Sequence, residues 1–214
     1  MENVFKGLQW GFENECILKT EDRDEAAALK KKLLKRTKGN VVFGYDGSIN
    51  AGCRSDNDIA YEIRTKKLPS ERAIEIQKEV LDFISQHGYT NSSCGLHANV
   101  SFIDQKKKKN FNPQTFCVNP LWVKLLKDFR RTRNDYCEYP LRGYEGWSEF
   151  LNSYENGRFS DKSSCINLDN YAYFNGATSR IEIRGFGNSD YEKKFPLIFK
   201  YLQQIAFLMH KSHS

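Results

Sequence analysis

Four stretches of this chain alternate apolar residues with charged or polar ones: residues 11–17 (GFENECI), 60–65 (AYEIRT), 95–102 (GLHANVSF) and 180–184 (RIEIR). Successive side chains of a β-strand point to opposite sides of the sheet. Glu13 and Glu15 therefore share one face, as do Glu62 with Arg64, His97 with Asn99 and Ser101, and Arg180 with Glu182 and Arg184. Joined in one sheet, such strands offer an apolar face for helices to cover. They leave a second face on which carboxylates, a histidine and arginines meet. A buried parallel sheet would instead carry apolar residues on both faces. The pattern predicts an α+β fold with a largely antiparallel sheet and helices packed on one side.

The segments between these strands carry helix signals. Thr20 and Asp22 are cap candidates for a helix from Asp22 to about Arg36, acidic at its start, basic at its end, with Gly39 as terminator. Residues 41–45 (VVFGY) read as a strand running into an Asp46-Gly47-Ser48 turn. Pro69-Ser70 opens a helix through Gln86 with an apolar stripe of Ala73, Ile76, Val80, Phe83 and Ile84, closed by Gly88. Asn119-Pro120 starts another, with Leu121, Trp122, Leu125, Leu126 and Phe129 on its stripe. A short helix is expected over 147–154 and strands over roughly 163–174 and 179–186. A last helix spans about 190–210, in which Pro196 implies a kink or a late start. Lys106–Lys109 read as a surface loop.

The 214 residues, 39% hydrophobic and 14% aromatic, are enough for one domain (1–214) with a substantial core. The net charge of +6 permits an anionic partner, including a nucleic-acid-linked substrate, without demanding one. Neither a signal peptide at Met1–Lys6 nor any run of about 18 apolar residues is present, so a soluble, cytoplasmic protein without a membrane partner is expected. The six cysteines (16, 53, 94, 117, 137 and 165) lack paired spacing and read as reduced thiols. Cys94-x-x-His97 has no second half that would complete a zinc site.

Carboxylates gathered from several strands repel one another and raise each other's pKa, which makes a cation their natural partner. Glu13, Glu15 and Glu62 supply hard oxygen donors of the kind that suits Mg²⁺ or Mn²⁺ better than zinc. Arginines beside them can grip phosphate oxygens in pairs.

Taken in order, Gly11-Phe12-Glu13-x-Glu15, Asp46-Gly47-Ser48-Ile49, Tyr61-Glu62-Ile63, Cys94-Gly95-Leu96-His97-Ala98-Asn99-Val100 and Ile181-Glu182-Ile183-Arg184-Gly185-Phe186 resemble the blocks of the amidoligases. These belong to the carboxylate–amine ligase superfamily of glutamine synthetase and glutamate–cysteine ligase. The resemblance runs over about residues 8 to 187. Tyr136-Cys137 with Arg142, and Asn167-Leu168, resemble weaker mid-family signals. It implies a curved, glutamine synthetase-like antiparallel sheet whose concave face binds Mg²⁺–ATP. There a carboxylate would be phosphorylated and the acyl phosphate attacked by an amine to give an amide. On that template Glu13, Glu15, Glu62 and Glu182 hold divalent metal, and His97 contacts a metal or the γ-phosphate. Arg180 and Arg184, joined by Arg142, neutralise charge during phosphoryl transfer. Asp46 is a ligand or orients the amine, and Asn99 coordinates through oxygen in the cofactor site.

Three features depart from the family, one being an insertion from Asn50 to Asp58 longer than a short turn. His97-Ala98-Asn99 stands where His-x-His is usual, and residues 161–168 (DKSSCINL) lack the usual Arg-Tyr pair before Asn-Leu, with Arg158 or Lys162 as substitutes. The leading expectation is an ATP-dependent amide-forming ligase whose acid and amine are small metabolites, a peptide or protein side chain, or a modified nucleobase. A noncatalytic nucleotide- or partner-binding module on the same fold, or a phosphotransferase to a nitrogen acceptor, are the alternatives.

Overall fold

The computed structural model of the chain describes residues 3–50, 58–104, 111–132, 137–139, 148–149, 152, 164–168 and 180–213. Eight strands form an open sheet among these residues: β1 (Leu8–Leu18), β2 (Val41–Tyr45), β3 (Ile59–Thr65), β4 (Leu68–Pro69), β5 (Gly88–Tyr89), β6 (Gly95–Phe102), β7 (Ile166–Asn167) and β8 (Ile181–Gly187). Their order across the sheet is β2-β3-β1-β6-β8-β7, with β4 and β5 both pairing to β1. Every ladder between them is antiparallel. The helices are α1 (Arg23–Arg36), α2 (Ser70–His87), α3 (Pro113–Cys117), α4 (Leu121–Asp128) and α5 (Phe195–Lys211), with a 3-10 turn at Tyr191–Lys193. The α+β class and the antiparallel sheet expected from the alternation are thus present.

The even-numbered residues of β1 place Trp10, Phe12 and Cys16 in the core, and Leu96, Ala98, Val100 and Phe102 of β6 do the same. Helix α2 lies under this face with Ala73, Ile76, Val80, Leu81, Phe83 and Ile84 buried. Helix α5 joins the same core, Tyr201 meeting Phe186 of β8 edge-on and Phe129 completing the aromatic group. One polar pair interrupts the apolar layer. Asn14 and Gln77, both wholly buried, exchange amide hydrogen bonds of 3.1 and 2.6 Å, and Asn14 also donates to the Ile63 carbonyl.

Asp22 caps α1 by accepting from the Glu25 N–H at 2.8 Å, as its position implies. Lys38 and Gly39 then turn the chain at positive φ. Gly88 does not end α2 in the left-handed conformation expected of a terminator. It is extended (φ −161°) and begins β5 opposite Leu18, where a Cβ would collide with the Ile17 carbonyl. Close strand approach, rather than turn geometry, explains this glycine. Asn112 caps α3, a short helix in what the sequence suggests is loop. Pro196 gives α5 a late start, after the separate 3-10 turn. Of the helix expected over 147–154, residues 148, 149 and 152 are described and helical; the rest of it, most of the strand expected over 163–174, and Lys106–Lys109 lie outside the described residues.

Between β6 and β8 the register shifts: Leu96 faces Phe186 while Ala98 faces Ile183. One residue of β6, His97, therefore stands opposite two of β8. Such a bulge re-aims side chains and increases local twist. Here it turns Gly185 toward α4, where a Cβ would strike the Leu125 side chain, and leaves Arg184 on the polar face beside Glu182.

Candidate functional site

Adjacent strands bring the odd-numbered residues of β1 against the polar positions of β6 and β8. Glu13 lies directly across from His97, Gly11 from Asn99, and Asn99 in turn from Glu182. On the other side of β1, Glu15 faces Glu62 and Glu13 faces Arg64. The polar face is not freely wetted: the His97 and Glu182 side chains are only 8% and 9% exposed, and Glu13 is 20% exposed. Buried charges require partners.

His97 supplies most of them. Its Nδ1 lies 3.3 Å from Glu182 Oε1 and 3.5 Å from Glu13 Oε2, while Nε2 lies 3.7 Å from Glu15 Oε1. One ligand atom from each of Glu13, His97 and Glu182 falls within 4.8 Å of the others, a spacing able to hold a metal ion. Around this trio, Asn99 donates to Glu13 at 3.0 Å, Asn167 to Glu182 at 3.4 Å, and Arg184 to Glu182 at 3.2 Å. Arg180 is more loosely placed, 3.9 Å from Glu13. Glu15 also accepts from the Gly95 N–H at 2.5 Å, which fixes it against the imidazole edge. A carboxylate in that position orients a ligand histidine through its second nitrogen.

The electrostatics of the two outer carboxylates differ. Burial opposes ionisation of Glu13, but the His97 hydrogen bond and charge, with Arg180 and Asn99, outweigh it and hold the carboxyl below its ordinary value. Glu62 is pushed the other way, by burial first and then by the negative charges of Glu13 and Asp46, only partly offset by Arg64 at 3.2 Å.

The sequence-derived candidates therefore separate by place. Glu13, His97 and Glu182 converge; Glu15 and Asn99 touch members of that trio. Glu62 stands one strand further out, and Asp46 lies beyond it in an exposed turn, where its carboxylate accepts from the Ser48 N–H and hydroxyl. Arg184 is at the centre and Arg180 at the rim. Arg142 lies outside the described residues, as do Arg158 and Lys162.

Two contributors escaped selection as site residues. Arg64 was legible as the alternate partner of Glu62 on its strand, and Asn167 only as part of a weak motif. Beside the trio, where Gly11 contributes no side chain, a recess of about 210 Å³ is bordered by Glu13, Asn99, Arg64, Lys67 and Arg180. The Asn99 Oδ1 is buried and has no hydrogen-bond partner among the described residues, and the Nε atoms of Arg180 and Arg184 are likewise unpartnered. An acceptor and two cationic donors are thus left unsatisfied among the described residues at the edge of a carboxylate–imidazole cluster.

Burial pushes the thiol of Cys94, next to the site, up to about 11, with its hydrogen bond from the Asn91 region opposing the shift. Such a thiol is a small core residue and a poor nucleophile at neutral pH. The fold and these residues define an α+β protein with a candidate cation site on the polar face of an antiparallel sheet. The chain matches no protein-family model and no curated protein.

Proposed function

We propose that this protein is an ATP-dependent carboxylate–amine ligase of the amidoligase type, with a glutamine synthetase-like sheet. The observation that carries the reading is the convergence of Glu13, His97 and Glu182 within 4.8 Å beside two arginines with unsatisfied Nε donors. The donor set fits a divalent ion: two carboxylates and an imidazole suit Mn²⁺ at least as well as Mg²⁺, because imidazole favours the transition metal. The ion would supply charge neutralisation for the transferring phosphoryl group.

The chain's own residues would act around it. Glu13, His97 and Glu182 would hold the ion, and Glu15 would keep the imidazole oriented. Arg184 and Arg180 would meet phosphate oxygens with the donors now unpartnered. The recess lined by Arg64, Lys67 and Arg180 supports an anionic co-substrate, the acid to be activated, and Asn99 Oδ1 offers an acceptor to an N–H. Asp46 and Glu62, further out on the same side, would serve the incoming amine or a second ion.

A noncatalytic module is the competing reading. The His97 contacts favour it, since one imidazole nitrogen reaches two carboxylates and can pair with them as a structural ion-pair group.

Calorimetric titration of ATP with Mg²⁺, with Mn²⁺ and with EDTA separates the outcomes. Saturable, metal-dependent binding is expected, and its loss in both Glu13→Gln and Glu182→Gln. A folded protein that binds no ATP under any metal condition rejects the ligase. With candidate acids and amines added, ADP and phosphate released only when both are present mark ligation. A stable phosphorylated product formed with the amine alone marks phosphoryl transfer to nitrogen.

A further inference from the structure

Helix α5 buries Ile198, Tyr201, Leu202, Ile205 and Met209 in the core, so its opposite side faces away from the sheet. On that side Lys200, Phe207 and Lys211 are spaced by seven and four residues, two turns and one turn, and form a single stripe. Leu121 and Lys124 of α4 lie alongside, and the two helices enclose a groove of about 490 Å³ floored by Phe207, Leu208 and Leu121. Phe207 is 60% exposed and stands beside Leu121 and Leu208 in the groove lining. Apolar side chains of that size gathered at one place on a surface mark an interaction site.

The rim of the groove has one sign of charge. Lys124, Lys200 and Lys211 border it, and no carboxylate among the described residues lines it. None of the three lysines is ion-paired among the described residues. At 1.5 Å of rise per residue, Lys200 and Lys211 stand roughly 16 Å apart along α5, with Phe207 between them.

We propose that this groove docks an acidic segment of a partner protein, seating a large apolar side chain against Phe207 while its carboxylates meet Lys200, Lys211 and Lys124. The apolar floor supplies the desolvated centre that anchors protein interfaces, and the lysines supply sign and register. Gln203 and Gln204, beside the floor, offer amides to the segment's backbone. A nucleic acid fits less well. Its backbone presents a charge every few ångström, whereas these lysines are far apart and carry no bidentate arginine fork among them. The groove is on the far side of the sheet from Glu13, His97 and Glu182, and the proposal does not depend on their role.

Selection of a displayed library of peptides of about 12 residues on the full-length protein tests this. The selected peptides are expected to pair two or more Asp or Glu residues with a Leu, Phe or Trp and to weaken as salt is raised. Phe207→Ser, and separately Lys200→Glu with Lys211→Glu, should each weaken binding about tenfold or more while leaving the melting transition unchanged, since all three positions are exposed. Peptides that are basic or uncharged, or whose binding ignores both variants, would overturn the proposal. So would a single-stranded oligonucleotide that displaces them more strongly than free peptide does. Sedimentation showing self-association that Phe207→Ser abolishes would assign the groove to a second copy of the chain and overturn it equally.

Discussion

His97 stands among three carboxylates, and the two nitrogens divide them: Nδ1 faces Glu13 and Glu182, Nε2 faces Glu15. Glu13, inside this group, and Glu62, one strand further out, respond oppositely to pH. The Glu13 carboxyl is held low, so its ionised form stabilises the fold above the unfolded value near 4.5, and that contribution is lost as pH falls through the lower folded value. The Glu62 carboxyl is raised, so ionising it costs stability above the folded value, and the penalty is gone below 4.5. In EDTA at pH 7, Glu13→Gln is therefore expected to destabilise by about 1 kcal/mol or more. Glu62→Gln should be neutral or stabilising by up to about 0.5 kcal/mol. Thermal melts between pH 4 and 8, a range set by the ordinary carboxylate and histidine values, should show both differences shrinking toward acid. A stabilised Glu13→Gln would contradict the pairing described.

At the scale of the element, the pair that joins β1 to α2 is the most exacting contact. Asn14 and Gln77 satisfy each other inside an apolar layer, so removing one amide strands the other. Asn14→Leu or Gln77→Leu alone should cost about 2–3 kcal/mol in chemical denaturation, whereas the double variant should cost far less than the sum. Additive losses would show that the two amides do not act as a unit. Strand alternation and helix caps were readable from local residues because they answer to local geometry. Asp22 and Pro196 sit where their backbone constraints demand. Gly88 looks locally like a helix terminator, but the reason for it is the Ile17 carbonyl, seventy-one residues away in sequence. The β6–β8 bulge that sets Arg184 beside Glu182 also depends on pairing between distant segments, which no single window of sequence displays.

Across the whole molecule, alternation locates the polar face but says nothing of how deeply it is sheltered. The structure shelters most of it, because β6 is a central strand and all eight of its residues are buried. Which polar residues share a face follows from alternation alone. That Glu13, His97 and Glu182 converge while Glu62 and Asp46 stand apart follows from strand order, which alternation does not encode. Among the described residues no helix is long and apolar enough to cross a membrane. The five described cysteines are free and buried, and burial raises the thiols of Cys16, Cys94, Cys117, Cys137 and Cys165. A brief iodoacetamide pulse at pH 7, read by peptide mass spectrometry, should leave these five unmodified until denaturant is added. Rapid labelling of Cys94 in the folded protein would show the site to be more open than described.

The buried amide pair also has a bearing on how the charged face is assembled. Strand β1 pairs with both β3 and β6, and a slip of one residue along either partner would turn Glu13 and Glu15 toward the helices and aromatic rings toward the carboxylates. The same slip would carry Asn14 to the other face and strand the Gln77 amide in hydrocarbon. Misalignment is thus penalised from both sides of one strand. The fold checks the placement of its glutamates from beneath, through a contact buried on the opposite face of the strand.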